Sequence, residues 1–315
     1  MQAHSSRVFI IVSCITLALW LFPSQVEADE KDLRNLRPSI LAGTWYPGDR
    51  NSLAENIQDL LSSVEIPPLE GKLIALIVPH AGHRYSGGVA AHAYKLLQGR
   101  QFGRVVMVGP SHRGAFKGAS VNCQSGYETP LGVVPVDREI ARKILDAGTH
   151  VRWLKEAHAF EHSLEIQLPF LQTVLKNFKI VPILMGQQDL ETCLNLAHTL
   201  APILKNTEDT LLIASTDLSH FYPSSQAKAL DLQFIDRVRR LDPQGIAKDL
   251  REGKSEACGG GPVITVMLLA QALGANRAEI LNYADSGQVT GDHGRVVGYL
   301  SAALIRSSDT GPHPR

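Results

Sequence analysis

Three of the chain's twelve histidines fall where a long apolar run stops. They are His80 in LIALIVPHAG, His112 in RVVMVGPSH and His220 in LLIASTDLSH. Each run reads as a parallel strand buried on both faces, and open α/β sheets bind ligands in the crevice beyond the carboxyl ends of such strands. Neutral imidazole is a good ligand for iron, copper and zinc, so three imidazoles at one sheet edge suggest a metal-centred site. Cys258, in SEACGGGPVITVMLL, directly precedes a Gly-rich turn and a helix that begins near Pro262. A thiolate there is stabilised by the positive end of the helix dipole, and three glycines let the backbone come close to a ligand. His80, His112 and Cys258 are the candidate metal ligands. An ordinary buried cysteine is the plainer reading of Cys258, and spacing does not choose among iron, copper and zinc.

Asp217 and His220 are three residues apart in STDLSH. A carboxylate beside an imidazole orients it and raises its basicity, although an aspartate at this kind of position also caps loops. Glu161, His162 and Glu165 form EHSLE at a helix start. His162 and Glu165 share a helix face at this spacing, and acidic residues suit a first turn. His220, Asp217, Glu165 and His162 are the candidate acid/base residues. The remaining histidines, His158 among them, read as structural or surface groups.

These residues need elements to position them. Strands are expected at Lys72–Val78, Arg104–Val108, Lys179–Met185, Thr210–Ala214, Glu279–Tyr283 and Val296–Leu304, with amphipathic or apolar helices between them. Residues 114–136 alternate in short runs with turn residues and read as a β-hairpin excursion. The alternation predicts an α/β fold, a mostly parallel sheet with helices on both faces. No repeat or long linker interrupts it, so one domain spans about residues 36–306.

Composition excludes some classes. The 31 basic and 31 acidic residues balance, without the basic face of a nucleic-acid binder. There is no GxGxxG after the first strand, no GxxxxGK[ST], no GxSxG and no HExxH, so nucleotide binding, the α/β-hydrolase nucleophile and the commonest zinc-protease site lose support. Residues 1–28 have the charged start, the short apolar run Val8–Phe22 and the small residues of a secretory signal peptide. The run is short for a spanning helix, which needs ~20 residues. Export to the periplasm or exterior is expected, with membrane contact only through an uncleaved signal segment. Residues 29–35 read as a flexible lead-in and 307–315 as a disordered tail. Cleavage leaves Cys123, Cys193 and Cys258, an odd number, so at least one thiol is unpaired within the chain.

The segments LAGTWYPGD, PHAGHRYSGGVAAHAY, VGPSH, YETPLG, EHSLEIQLPFL, STDLSH, EACGGGP and VVGY resemble those of the MEMO family, also known as AmmeMemoRadiSam system protein B. They run in order from about residue 38 to 305. The resemblance implies a fold similar to class III extradiol dioxygenases, whose non-haem iron is held by two histidines and a glutamate. It maps the ligand histidines onto His80 and His112, and the third ligand onto Cys258 where those enzymes place a carboxylate. Asp217 and His220 match the pocket pair beside the metal. His83 stands where the family more usually has an aromatic residue, adding a titratable group at the pocket mouth. The family name implies partnership with an AMMECR1-like protein and a radical-SAM protein.

A soft thiolate in place of a carboxylate shifts preference toward copper or zinc and changes the potential of iron. The expectation is an iron- or copper-dependent, dioxygenase-like oxidoreductase acting on a small aromatic or peptide substrate, with zinc the less favoured metal. A non-enzymatic metal-handling or partner-binding module and a zinc hydrolase are the alternatives, because a fold does not carry its function with it.

Overall fold

In the computed structural model, described over residues 35–307 except 149, 206 and 208, the strands run along the chain as follows. The first half holds β1 (Leu36–Arg37), β2 (Lys72–Val78), β3 (Arg104–Pro110), β4 (Ala119–Val121), β5 (Gly126–Thr129) and β6 (Gly132–Pro135). The second holds β7 (Val151–Arg152), β8 (Lys179–Met185), β9 (Thr210–Ser215), β10 (His220–Tyr222), β11 (Arg277–Asp285) and β12 (Val296–Arg306). The four apolar runs lie side by side as β2-β9-β3-β8, all parallel.

Successive strand residues point to opposite faces, and each face has its own core. Ile77, Val106, Val181 and Leu212 pack on one side with the helices Arg138–Ala147, Leu190–Leu204, Ser224–Arg239 and Gly260–Ala272. Leu76, Val105, Ile180 and Leu211 pack on the other with the helices Arg50–Ser62, His83–Lys95 and Leu168–Val174. Each fully buried side chain of this size contributes about 1.5–3 kcal/mol, so the centre of the sheet is the rigid part of the molecule. Asp49, Asp137, Asp189 and Asp242 cap four helices by accepting from a backbone N–H three residues on.

The sheet is parallel only at its centre. β12 runs antiparallel to β2, to β11 and to β10, and β4 runs antiparallel to β8. β7 pairs parallel with β4. The cause is the connection: a parallel crossover needs a dozen or more residues, and β11 and β12 are joined by residues 286–295 alone. A buried apolar run reports burial on both faces and says nothing of strand direction. The excursion at 114–136 does contain a hairpin, β5 with β6, but β1 joins it to make a separate three-stranded sheet.

β1 is held by one buried side chain. Arg37 is 1% exposed. It donates to the carbonyl oxygens of His158 at 2.7 Å and Glu161 at 2.6 Å, and to the Glu165 carboxylate at 2.5 Å. Glu165, itself fully buried, also accepts from the backbone of Ile40 and Leu41 and from the hydroxyls of Ser39 and Tyr46.

The expected signal peptide, most of the 29–35 lead-in and the tail beyond Ser307 lie outside the described residues. Among the described residues no helix is long and apolar enough to cross a membrane, and Cys123, Cys193 and Cys258 are free thiols.

Breaking a buried ion pair from one side leaves an uncompensated charge, at a cost of about 3–5 kcal/mol. Arg37→Met is therefore expected to lower the stability measured by urea unfolding by that amount, and Arg37→Met with Glu165→Leu to recover part of it. A loss under ~1 kcal/mol would give the pair no more weight than a surface bridge.

Candidate metal centre

The parallel strands end on one rim, and the side chains that follow them meet there. His80 lies two residues beyond β2, His112 two beyond β3 and Asp217 two beyond β9. They line a cleft of about 580 Å3 together with His162, His220, Trp45, Arg84 and Tyr85. The rings of His80 and His112 are 5.1 Å apart, those of His80 and His162 5.3 Å, and those of His112 and His162 stack at 4.3 Å. Cys258 reaches the same place from the turn before the helix Gly260–Ala272.

The hydrogen bonds behind the two candidate ligand histidines hold each ring by its Nδ1. Ser215, at the end of β9, gives its single hydroxyl hydrogen to the Ser163 carbonyl at 2.7 Å. Its oxygen must therefore accept from His80 Nδ1 at 2.9 Å, as it accepts from Gln167 Nε2 at 3.0 Å. His80 is thus protonated on Nδ1, and its Nε2 lone pair faces Cys258 Sγ at 3.1 Å. Burial, then the neighbouring His162, His112 and His220, holds the His80 ring well below the usual histidine range, so it is neutral.

Glu161 does the same for His112. It accepts from His112 Nδ1 at 2.9 Å and from the His112 backbone N–H at 2.5 Å. Burial raises the Glu161 carboxyl, but the His112 hydrogen bond, the charges of His112 and His162 and the Ser163 N–H outweigh it and bring it down to about 2. A carboxylate accepts only, so His112 carries a hydrogen on Nδ1, and Nε2 is the nitrogen left to ligate. A carboxylate or hydroxyl behind a ligating histidine is the usual way to orient the ring and raise its basicity.

Donor atoms of His80, His112 and Cys258 lie within 4.8 Å of one another. Two donors ~2.0 and ~2.3 Å from one ion sit roughly 3–3.5 Å apart, and the observed nitrogen–sulfur separation of 3.1 Å fits that range. His112, Glu161 and His162 form a second close group, but both Glu161 oxygens are already engaged by His112 and the Ser163 N–H. That group supports the first.

Cys258 is held by its backbone. Its sulfur accepts from the Asp217 N–H at 3.3 Å, and its own N–H donates to the Asp217 carbonyl at 3.2 Å. Gly259 makes this possible: a Cβ there would lie 2.3 Å from the Ser215 carbonyl oxygen. The helix-dipole expectation of a ready thiolate is overturned. Burial, with Asp217 beside it, pushes the Cys258 thiol far up, so without a metal it stays protonated.

The acid/base candidates separate. Asp217 and His220 both line the cleft, but Asp217 does not orient His220. Its carboxylate accepts from the His80 backbone N–H at 2.7 Å and lies 4.0 Å from His80 Nε2. Burial raises it to about 7 against the His80 and Ala81 N–H groups that lower it. His220 instead faces Glu256, which accepts its backbone N–H at 3.1 Å, lies 3.9 Å from its Nδ1 and also takes the Tyr222 hydroxyl. His162 lines the cleft beside Trp45 and is driven down to about 4, mainly by burial. Glu165 is not in the cleft, since its carboxylate is fully committed to the Arg37 segment. His83 is also not at the mouth: it is buried between Tyr46 and Phe170, with Nδ1 bonded to Asn56. The sequence reading missed Gln167, Glu256 and the roles of Ser215 and Glu161. Each stood in a quoted motif or beside one, with no periodicity to mark its partner.

Fold and site together define an α/β protein with a candidate His, His, Cys metal centre at the carboxyl ends of its central strands. A profile of the family described as Memo-like protein matches residues 37–303, and the chain belongs to that family. It is 38% identical over 271 residues to a MEMO1 family protein of Methanothermobacter thermautotrophicus, covering 84% of this chain and 98% of that one. It is 37% identical over 271 residues to a MEMO1 family protein of Aquifex aeolicus, covering 86% and 99%. The crystal structure of an uncharacterized protein from Escherichia coli K12 has a similar fold, with TM-score 0.50, 15% identity and coverage of 74% of this chain and 100% of that one.

Two outcomes follow from the geometry. Glu161→Gln is expected to weaken metal binding about 10- to 100-fold in competition with a chelator, without loss of secondary structure by circular dichroism. Metal uptake must also displace the Cys258 proton. Affinity is therefore expected to rise with pH, by roughly tenfold per unit for one proton, between pH 6 and 8. A flat profile would remove the thiolate from the ligand set.

Proposed function

We propose that the protein binds one redox-active metal ion, iron or copper, on His80 Nε2, His112 Nε2 and Cys258 Sγ, and works as an oxidoreductase of dioxygenase-like architecture. The observation that carries this reading is the pair of anchored imidazoles: each is held through Nδ1, by Ser215 and by Glu161, which leaves its Nε2 to ligate, and the donor atoms of both rings and the Cys258 sulfur lie within 4.8 Å of one another. Three ligands from one side leave coordination positions open toward the cleft, and such an ion supplies electron transfer there. Around it, this chain's residues exclude water and manage protons. Trp45 and Tyr85 wall the cleft. His220, partly exposed and held by Glu256, takes or gives a proton at the ring nitrogen turned away from that carboxylate. Asp217, held near neutral pH, is the second group able to exchange a proton. The reading places the protein outside the cytoplasm, through the N-terminal segment, and its partnership with AMMECR1-like and radical-SAM proteins rests on the family resemblance.

Metal content of the anaerobically purified protein, measured by mass spectrometry, is expected to be about one iron or copper per chain and to fall sharply in Cys258→Ser. With ascorbate as electron donor, His220→Ala is expected to keep its metal and to lower oxygen uptake roughly 10²–10⁴-fold. Stoichiometric zinc, or full uptake in His220→Ala, would overturn the corresponding part of the proposal.

A further inference from the structure

The cleft in front of the candidate metal centre carries a charge with no ion-pair partner among the described residues. Its lining includes four imidazoles, one carboxylate and one guanidinium, Arg84. The carboxylate, Asp217, is 5% exposed and accepts the His80 N–H. The nearby acids Glu161 and Glu165 are buried and committed to His112 and Arg37. Among the described residues no carboxylate pairs with Arg84. Its one recorded contact is the Tyr85 ring, with the guanidinium 5.8 Å from the ring centre.

Arg84 sits at the second position of the helix His83–Lys95. Its neighbours on the cleft wall are Tyr85, 42% exposed, and Trp45, 36% exposed. Large exposed aromatics beside an unpaired guanidinium are the two halves of a recognition site for a flat anion: rings stack on Trp and Tyr, and Arg takes a carboxylate with two parallel hydrogen bonds. The backbone also holds these walls in place, since the His83 N–H donates to the Trp45 carbonyl at 2.9 Å.

We infer that the cleft takes a small aromatic carboxylate, its carboxylate on Arg84 and its ring against Trp45 and Tyr85, with the rest of the molecule directed at the His80, His112 and Cys258 cluster. This names a substrate class for the proposed oxidoreductase and rests on that reading for its catalytic meaning, but the anion preference belongs to Arg84 whether or not a metal is bound.

The test is fluorine NMR titration of the protein with 4-fluorobenzoate and, separately, with 4-fluorobenzamide, which has the same ring without the charge. Chelator-treated and zinc-loaded protein are both titrated. The acid is expected to bind roughly fivefold more tightly than the amide, the size of one solvent-accessible charge interaction. Arg84→Gln should abolish the preference and Arg84→Lys should retain part of it, with circular dichroism unchanged in both. Equal binding of acid and amide, no binding of either, or a preference that survives Arg84→Gln overturns the inference. A preference seen in protein that takes up no metal upholds the inference and overturns the metal reading. Stoichiometric metal without the preference does the reverse.

Discussion

A guanidinium buried among carbonyls and one carboxylate organises the functional end of this molecule. Arg37 spans the gap between the first strand and the EHSLE loop, and its donors land on both sides of Glu161: on the carbonyls of His158 and Glu161 and on the Glu165 side chain. That loop's position decides where the Glu161 carboxylate sits, and so where the His112 ring points. Glu165 passes the constraint the other way. By accepting from the backbone at Ile40 and Leu41 it fixes the turn that delivers Trp45 to the cleft. A charge this deep is tolerated only with full hydrogen bonding, so the segment has few alternatives to the position it takes.

The second constraint lies at the end of β9. Ser215 is a junction: it gives its hydrogen to Ser163 and accepts from His80 and Gln167. Gln167 is in turn fixed by the Tyr94 hydroxyl and the Pro79 carbonyl. One buried hydroxyl thus links β2, β9 and the EHSLE segment. Two residues later the main chain at Asp217 trades hydrogen bonds with Cys258. The three candidate ligands come from distant parts of the sequence, yet His80 and Cys258 hang from the same strand end and His112 is held from the EHSLE segment beside it.

How much of this was legible in the sequence depended on the kind of signal. β2, β3, β8 and β9 were readable because burial on both faces writes an unbroken apolar run, and His80 and His112 because they end such runs. Strand direction was not, because β12 is as buried as the parallel strands and its pairing is set by the short link to β11. Cys258 joined the ligand set, but its protonation did not follow from the helix start, since burial and Asp217 outweigh a dipole. Asp217 and His220 looked like partners at three residues apart. The loop turns between them, with Phe221 just beyond at φ 65°, and each side chain meets a different element. Arg37 carried no motif at all. A lone arginine in a short strand is visible as a hub only once its long-range acceptors are in place.

Because both imidazoles are fastened by their far nitrogens, and the sulfur by main-chain contacts, the ligand cluster is assembled by the protein alone. Such a cluster needs no ion to bring its donors together, unlike small domains that collapse only around their ion. Ligand type alone discriminates weakly along the first-row series, so a metal held on this cluster would be chosen by the supply around the folded chain as much as by its donors.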